Sequence, residues 1–386
     1  MIINIKPVDV LFFRDSKPFG KGSEHFTKSI FPPYPQTLYG ALRTKALETL
    51  GCDYEQFKNG NFVFRNQDSL NKIDLDNIKK EIGTVEKPGD FILKGPFLLS
   101  KNTDIYIKLP ADVKNIGDDL VKKYEFMQPF NWSNFGVETD FELNNYPHII
   151  TKEPLEDAEG YIPLQKFTNY LLGKDIEDGD VKKASDVYDF EIRTGIGIDP
   201  QKNTTEEGLL YAMGFVRLHK DFSLCAEIEN LSALPNSGII KLGGANRICE
   251  YEELPDNPFH FYKAEKENIK SIVKEAKKFK LVFLTPALFN NGWISDKFNN
   301  YELQEGNVRI RLLTGVIGRA ENISGWDLAR NKPKPFKKLV PAGSVYYFEL
   351  LQGDVGELFK KFNFVNFSDE NPNSGFGLSI IGGIRK

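Results

Sequence analysis

Cysteine is scarce: Cys52, Cys225 and Cys249 are the only three in 386 residues, odd in number, far apart and without a CxxC. This excludes a disulfide framework and a thiolate zinc site, and it fits a reducing cytoplasm. Histidine is nearly as rare. His25, His148, His219 and His260 never stand at HxH, HxxxH or HExxH spacing, so no metal and no cofactor is expected. Glu156, Asp157 and Glu159 read as a solvated acidic face. Long apolar runs are missing too: nothing approaches the roughly 18 uncharged residues of a membrane span. The opening MIINIKPVDVLFFRD is an alternating strand broken by Asp9 and Arg14, unlike a signal peptide. The expected protein is cytoplasmic and makes no membrane contact. Neither sign of charge dominates, since 50 Lys+Arg oppose 54 Asp+Glu for a net charge of -4. A chain that coats nucleic acid over its whole surface is thereby excluded, but a local basic groove is not. No GxSxG, Walker lysine loop, kinase set or GxGxxG turn is present.

What is present suffices for large cores. Hydrophobic residues make up 40% and aromatics 13%, which rules out a mainly disordered chain. The length exceeds the roughly 250 to 300 residues at which single cores stop growing, so two domains are expected. We place them at 1–265, with a loop-rich insertion at about 110–190, and at 266–386. Residues 2–13 alternate as a strand. Leu38, Ala41, Leu42, Ala46 and Leu50 then recur at helical spacing between the start signals Pro35 and Thr37 and the stop Gly51. Short strands are expected at 61–65, 90–99 and 103–109. FEIRTGIGIDP at 190–200 reads as apolar and β-forming, and two further strands flank a turn at Lys220 and Asp221. An amphipathic helix is expected over 264–279 and a short helix over 355–362. The fold class is α+β.

Arginine is placed selectively. Only 11 of the 50 basic residues are arginine, and Arg14, Arg43, Arg193, Arg217, Arg247, Arg309, Arg311 and Arg319 lie in or beside Gly- or Pro-punctuated stretches. A planar guanidinium suits phosphates and base edges, whereas the lysines read as ordinary solvating residues. The other pattern with chemical content is the C-terminal GxGxxxxG of Gly375, Gly377 and Gly382, whose backbone amides would suit an anion nest or a tight turn.

Taken in order, VDVLFFRDSKPF, IFPPYPQTLYGALRT, EIRTGIGID, EGLLYAMGFVRL, IIKLGGANR, TPALFNNGW, GRAENISGWDL, PFKKLVPAGSVYYFEL and GFGLSIIGG resemble the third-subunit family of the Cmr complex, the type III-B CRISPR RAMP module. The resemblance runs from residue 1 to about 384 and is weakest between about 110 and 185; Ser374 departs from the hydrophobic residue usual before the last glycine loop. It implies two tandem ferredoxin-like, RRM-related βαββαβ domains with insertions. It also implies a non-catalytic subunit that helps hold the 5′ handle of the CRISPR RNA, docks on the large polymerase-like subunit and adjoins backbone RAMP subunits. Carried onto this chain, the RNA contacts are Arg14, Lys17, Phe19, Thr37, Arg43, Arg193, Gly195, Gly197, Arg247, Arg319, Trp326, Gly375 and Gly377. The rival reading is a metal-independent CRISPR RNA-processing endoribonuclease, with His25 and Tyr34 or Tyr39 as its acid-base groups.

Overall fold

The computed structural model describes residues 1–14, 26–64, 74–116, 123–136, 142–199, 201–202, 204–327 and 330–385. Mixed α and β elements gather into two compact units. The first comprises Met1–Lys101, Ser185–Pro255 and Asn322–Lys337; the second comprises Asn102–Ala184, Asp256–Glu321 and Lys338–Lys386. The chain thus passes between units repeatedly instead of once near residue 265. Most of the stretch expected as an insertion in the first domain belongs to the second unit. Strand pairing groups residues by register, and register does not follow chain proximity.

In the first unit the strands Ile92–Ser100, Phe222–Glu229, Ile2–Pro7 and Ile248–Glu253 lie side by side in that order, each antiparallel to the next, and Ser237–Lys241 pairs beyond the last. Counted along the chain, the four central strands follow the order second, third, first, fourth. The helix Pro35–Thr49 connects the first two. Proline at its start costs no hydrogen bond, and Leu38, Tyr39, Leu42 and Ala46 form its buried side. Gly51 at φ 66° ends the chain's helical course, at the stop expected from the sequence. The Tyr39 ring stacks on Phe91 at 3.9 Å between centroids, joining helix to sheet.

The second unit repeats the order with Val308–Val316, Val345–Gln352, Lys278–Phe283 and Leu378–Gly383, again antiparallel throughout. Its helix Val355–Phe362 falls between the third and fourth of these, with the Asp354 side chain capping the Glu357 amide. Val355, Leu358, Phe359 and Phe362 are its buried face, and each such side chain contributes about 2 kcal/mol on burial.

Three elements differ from expectation. The amphipathic helix runs His260–Ala276, ending at Lys277 in the left-handed conformation, so Phe279 belongs to the following strand. Of the strand expected at 61–65, Phe64 makes a single bridge to Cys52, and Arg65 lies outside the described residues. The loop-rich stretch holds short strands such as Val113–Ile116, Gln128–Asn131 and Asn145–His148 and the helix Leu164–Leu171. Four residues are too few for alternation to register as a pattern. Among the described residues no helix is long and apolar enough to cross a membrane.

Candidate nucleic-acid interface

The two longest strands, Tyr188–Asp199 and Thr204–Leu218, form one antiparallel hairpin in the first unit, and Phe26–Lys28 pairs in parallel with the second of them. Side chains on a strand alternate between faces, so residues directly opposite each other share a face. On one face Ile192, Ile196, Ile198 and Leu210 stand exposed, Ile192 at 64%. The other face carries Asp189, Glu191, Arg193 and Gly195 opposite Arg217, Phe215, Met213 and Tyr211 in turn. The pairing register shifts at Gly197, between Ile196 and Ile198.

Three arginines converge on this second face. Arg193 donates through Nε to Glu191 Oε1 at 2.7 Å and through Nη2 to Asp9 Oδ2 at 3.1 Å. Arg217 mirrors it, with Nε to Glu191 Oε2 at 2.6 Å and Nη2 to Asp9 Oδ1 at 2.9 Å. Arg247 completes the group with Nη1 3.6 Å from Asp9 Oδ2. The Arg247 and Arg193 guanidinium carbons lie 4.5 and 5.2 Å from the Phe215 ring centre, and that ring in turn packs on Phe12. The three cations pair with two carboxylates, and a third carboxylate on the same face, Asp189 opposite Arg217, lies 2.9 Å from His219 Nε2. Desolvation pushes the Asp9 carboxyl upward, but hydrogen bonds from Arg217 and Arg193 outweigh it and hold it below its ordinary value. The same two arginines depress Glu191.

Arg247 reaches the cluster because of the glycines before it. Gly243 has φ 82°, and a Cβ there would overlap the Phe12 carbonyl, whose oxygen accepts the Gly244 amide at 2.8 Å. Leu242 N to Arg247 O at 2.9 Å closes the turn.

The other expected contact residues lie elsewhere. Arg14 is exposed and bridges to Ser29, and Lys17 and Phe19 lie outside the described residues. Thr37 is half-buried in the first helical turn, its amide donating to Tyr34 O. Trp326, 52% exposed, sits in a two-stranded ribbon with Pro333, and Gln36 Nε2 donates to Ser324 O at 2.9 Å, holding the ribbon's approach beside the helix entry. Arg319 is exposed in the second unit.

Arg43 is engaged within the protein. Its Nε donates to the Ile82 carbonyl at 2.7 Å, its Nη2 donates to Thr84 O, and its guanidinium lies over Phe57. Ile82 is the last residue of the helix Leu75–Ile82, where unpaired carbonyls favour a cation. Burial holds the Arg43 pKa below its ordinary value. Arg43→Met keeps the apolar stem and removes both donors. We expect a loss of about 2 kcal/mol, seen as a lower urea midpoint at unchanged slope; an unmoved midpoint would remove this structural role.

The glycine loop is also closed. The Gly375 amide donates to Pro372 O at 2.9 Å and the Gly377 amide to Pro286 O at 2.7 Å, while Thr285 Oγ1 donates to Gly375 O. Both residues are buried, so their amides form a packed corner of the second unit and not an open nest. Of the residues drafted for nuclease chemistry, His25 lies outside the described residues, Tyr34 Oη donates to Asn322 O at 3.5 Å, and Tyr39 is buried with its hydroxyl donating to Gly89 O. Burial pushes the Tyr39 pKa up, away from that of a general base. Among the described residues no three His, Cys, Asp or Glu side chains gather as a metal site.

The family described as CRISPR-associated protein (Cas_Cmr3) matches the chain from residue 3 to residue 384. The chain belongs to the Cmr3 family. A Cmr3 relative, the CRISPR system CMR subunit Cmr3 of Saccharolobus solfataricus, is 23% identical over 353 residues, which span 88% of this chain and 84% of that protein. Among solved structures, a chain of the type III-B Cmr-beta bound to cognate target RNA is similar, with a TM-score of 0.50 and 17% identity, covering 97% of this chain and 95% of the other. The same kind of assembly with AMPPnP gives 0.48 at 16% identity, over 90% and 86%. At 17% identity the first of these likenesses speaks for a shared fold alone.

The sequence reading omitted Asp9, Glu191, Phe215 and Arg217 from the site. Arg193 and Glu191, like Phe215 and Arg217, are two apart on one strand, which places each pair on one face; that spacing was the available signal.

Proposed function

We propose that this chain, a Cmr3-family protein, serves as the non-catalytic RNA-binding subunit of a type III-B CRISPR complex, helping hold the 5′ handle of the CRISPR RNA and docking on the large polymerase-like subunit among backbone RAMP subunits. The observation that carries the RNA half is the convergence of Arg193, Arg217 and Arg247 on the Phe215 face of the hairpin, with side chains 38%, 45% and 23% exposed. Guanidinium forks match phosphate oxygens, and beside them the missing side chain of Gly195 makes room for the Tyr211 ring, which lies across the strand there. The exposed isoleucine face of the same hairpin supports the docking half, because contiguous apolar surface marks protein contacts. The order second, third, first, fourth supports reading each unit as a ferredoxin-like, RRM-related domain that keeps one of the two usual helices.

Salt-dependent binding tests this. Arg193→Glu and Arg247→Glu each weaken single-stranded RNA binding irrespective of base sequence, and each lowers the slope of log affinity against log salt by about 0.7. Wild-type affinity in both variants, with intact thermal transitions, would overturn the assignment.

A further inference from the structure

Asp9 is the one described carboxylate within ion-pair distance of all three hairpin-face arginines. Its two oxygens divide between them: Oδ1 accepts from Arg217, while Oδ2 accepts from Arg193 and lies 3.6 Å from Arg247. Two oxygens on one centre, bridging several guanidinium forks, is also what the non-bridging oxygens of a phosphodiester offer. Asp9 comes from the turn after the first strand, not from the hairpin, and its side chain is 44% exposed. It therefore has room to leave without unpairing the hairpin. Glu191 differs, since it lies between Arg193 and Arg217 on the hairpin itself and accepts from the Nε of both. Arg247 is the least engaged of the three: its Nη1 lies 3.6 Å from Asp9 Oδ2, and its Nε has no hydrogen-bond partner among the described residues.

We propose that Asp9 is a resident anion of this cluster, occupying the guanidinium forks that an RNA phosphate takes over, so that it keeps the arginines aligned in the free subunit and sets their affinity for RNA. The inference rests on the RNA-binding reading above. When phosphate enters, it replaces one carboxylate, and Glu191 remains to space Arg193 and Arg217. The charge balance of the cluster is then preserved, and the displaced Asp9 turns to water. Asp9 thus acts as a competitor built into the site, selecting against weak or isolated anions.

The test uses the full chain and labelled single-stranded oligouridine at several salt concentrations, with wild type, Asp9→Asn, Asp9→Ser, Arg193→Glu and Arg247→Glu. Removing the resident anion leaves one more uncompensated cation for the phosphate. Asp9→Asn and Asp9→Ser should therefore bind about fivefold tighter near 0.1 M salt, with a slope steeper by about 0.7. Unchanged or weaker binding in both Asp9 variants, with the arginine reversals still harmful, would overturn the competitor role and leave the RNA reading standing. If the arginine reversals themselves do nothing, the cluster does not hold RNA and both readings fall. Asparagine and serine differ in size and hydrogen bonding, so a packing defect in one variant would not be shared by the other.

Discussion

Gly377→Val is expected to unfold the second unit or to lower its stability by about 4 kcal/mol or more, beyond the range of ordinary point substitutions. Two costs combine. Gly377 has φ 75°, a conformation that costs a β-branched residue about 1–3 kcal/mol. In addition, any Cβ there would overlap the Phe367 carbonyl, and that carbonyl is main chain that cannot swing aside. The Phe367 amide donates to Gly377 O at 2.7 Å, so moving the segment apart breaks this bond as well. Gly292 supplies the control, because it has nearly the same backbone angle, φ 79°, with nothing within 4 Å of an added Cβ. Gly292→Val should show the strain alone, and the gap between the two melting temperatures measures the overlap. Equal, small shifts in both variants would show that the corner yields. The outcome bears on function: a glycine that packs a corner is needed for folding, whereas one that cradles a phosphate is needed for binding.

The second large effect lies in the buried polar group of the same unit. Asp112 is fully buried and accepts the Tyr170 hydroxyl at 2.7 Å, and it shares the Tyr347 hydroxyl, 2.7 Å away, with Met127 O at 2.6 Å. Lys280, also buried, places its ammonium 4.0 Å from Asp112 Oδ2 and 3.2 Å from the centre of the Tyr170 ring. Asp112→Ala leaves a buried cation without its counter-charge and deprives both tyrosine hydroxyls of the carboxylate, and should cost about 3–5 kcal/mol. Burial lowers the Lys280 pKa to about 8 from its ordinary 10.5, against the opposing pull of Asp112. The sign follows from proton counting. Below pH 8 both folded and unfolded chains hold the proton, and the burial cost is constant. Between 8 and 10.5 the unfolded chain keeps a proton that the folded chain has released, so stability rises with pH across that window. The rise is on the order of 3 kcal/mol, and it should be absent from Lys280→Met. Parallel stability curves for wild type and Lys280→Met from pH 7 to 11 would refute the buried, protonated lysine.

The buried polar group was not legible in the linear chain. Asp112, Lys280 and Tyr347 are separated by many residues, and each reads in isolation as an ordinary surface charge or core aromatic. The arginine cluster was half legible: selective placement singled out Arg193, Arg217 and Arg247, while Asp9 was noted only as a break in a strand. Arg43 drew attention for the same reason and proved to clamp a helix end, because composition cannot tell a cation facing solvent from one facing carbonyls.

Family membership, the α+β class, the first helix with its proline start and glycine stop, and the helix Val355–Phe362 could all be read from residue order. Each rests on local spacing or on an ordered set of motifs, and such signals survive without knowledge of the partners. Which strands pair, how the chain divides between the two units, and which arginines share one aromatic ring were settled by folding. Those outcomes depend on register between distant segments, and a shift of one residue would turn Arg193 to the isoleucine face. The glycine loop shows the limit most plainly: its residues carry the same signature for a nest and for a packed corner, and the distinction lies in Pro286, Thr285 and Phe367, which pack against it from elsewhere in the chain.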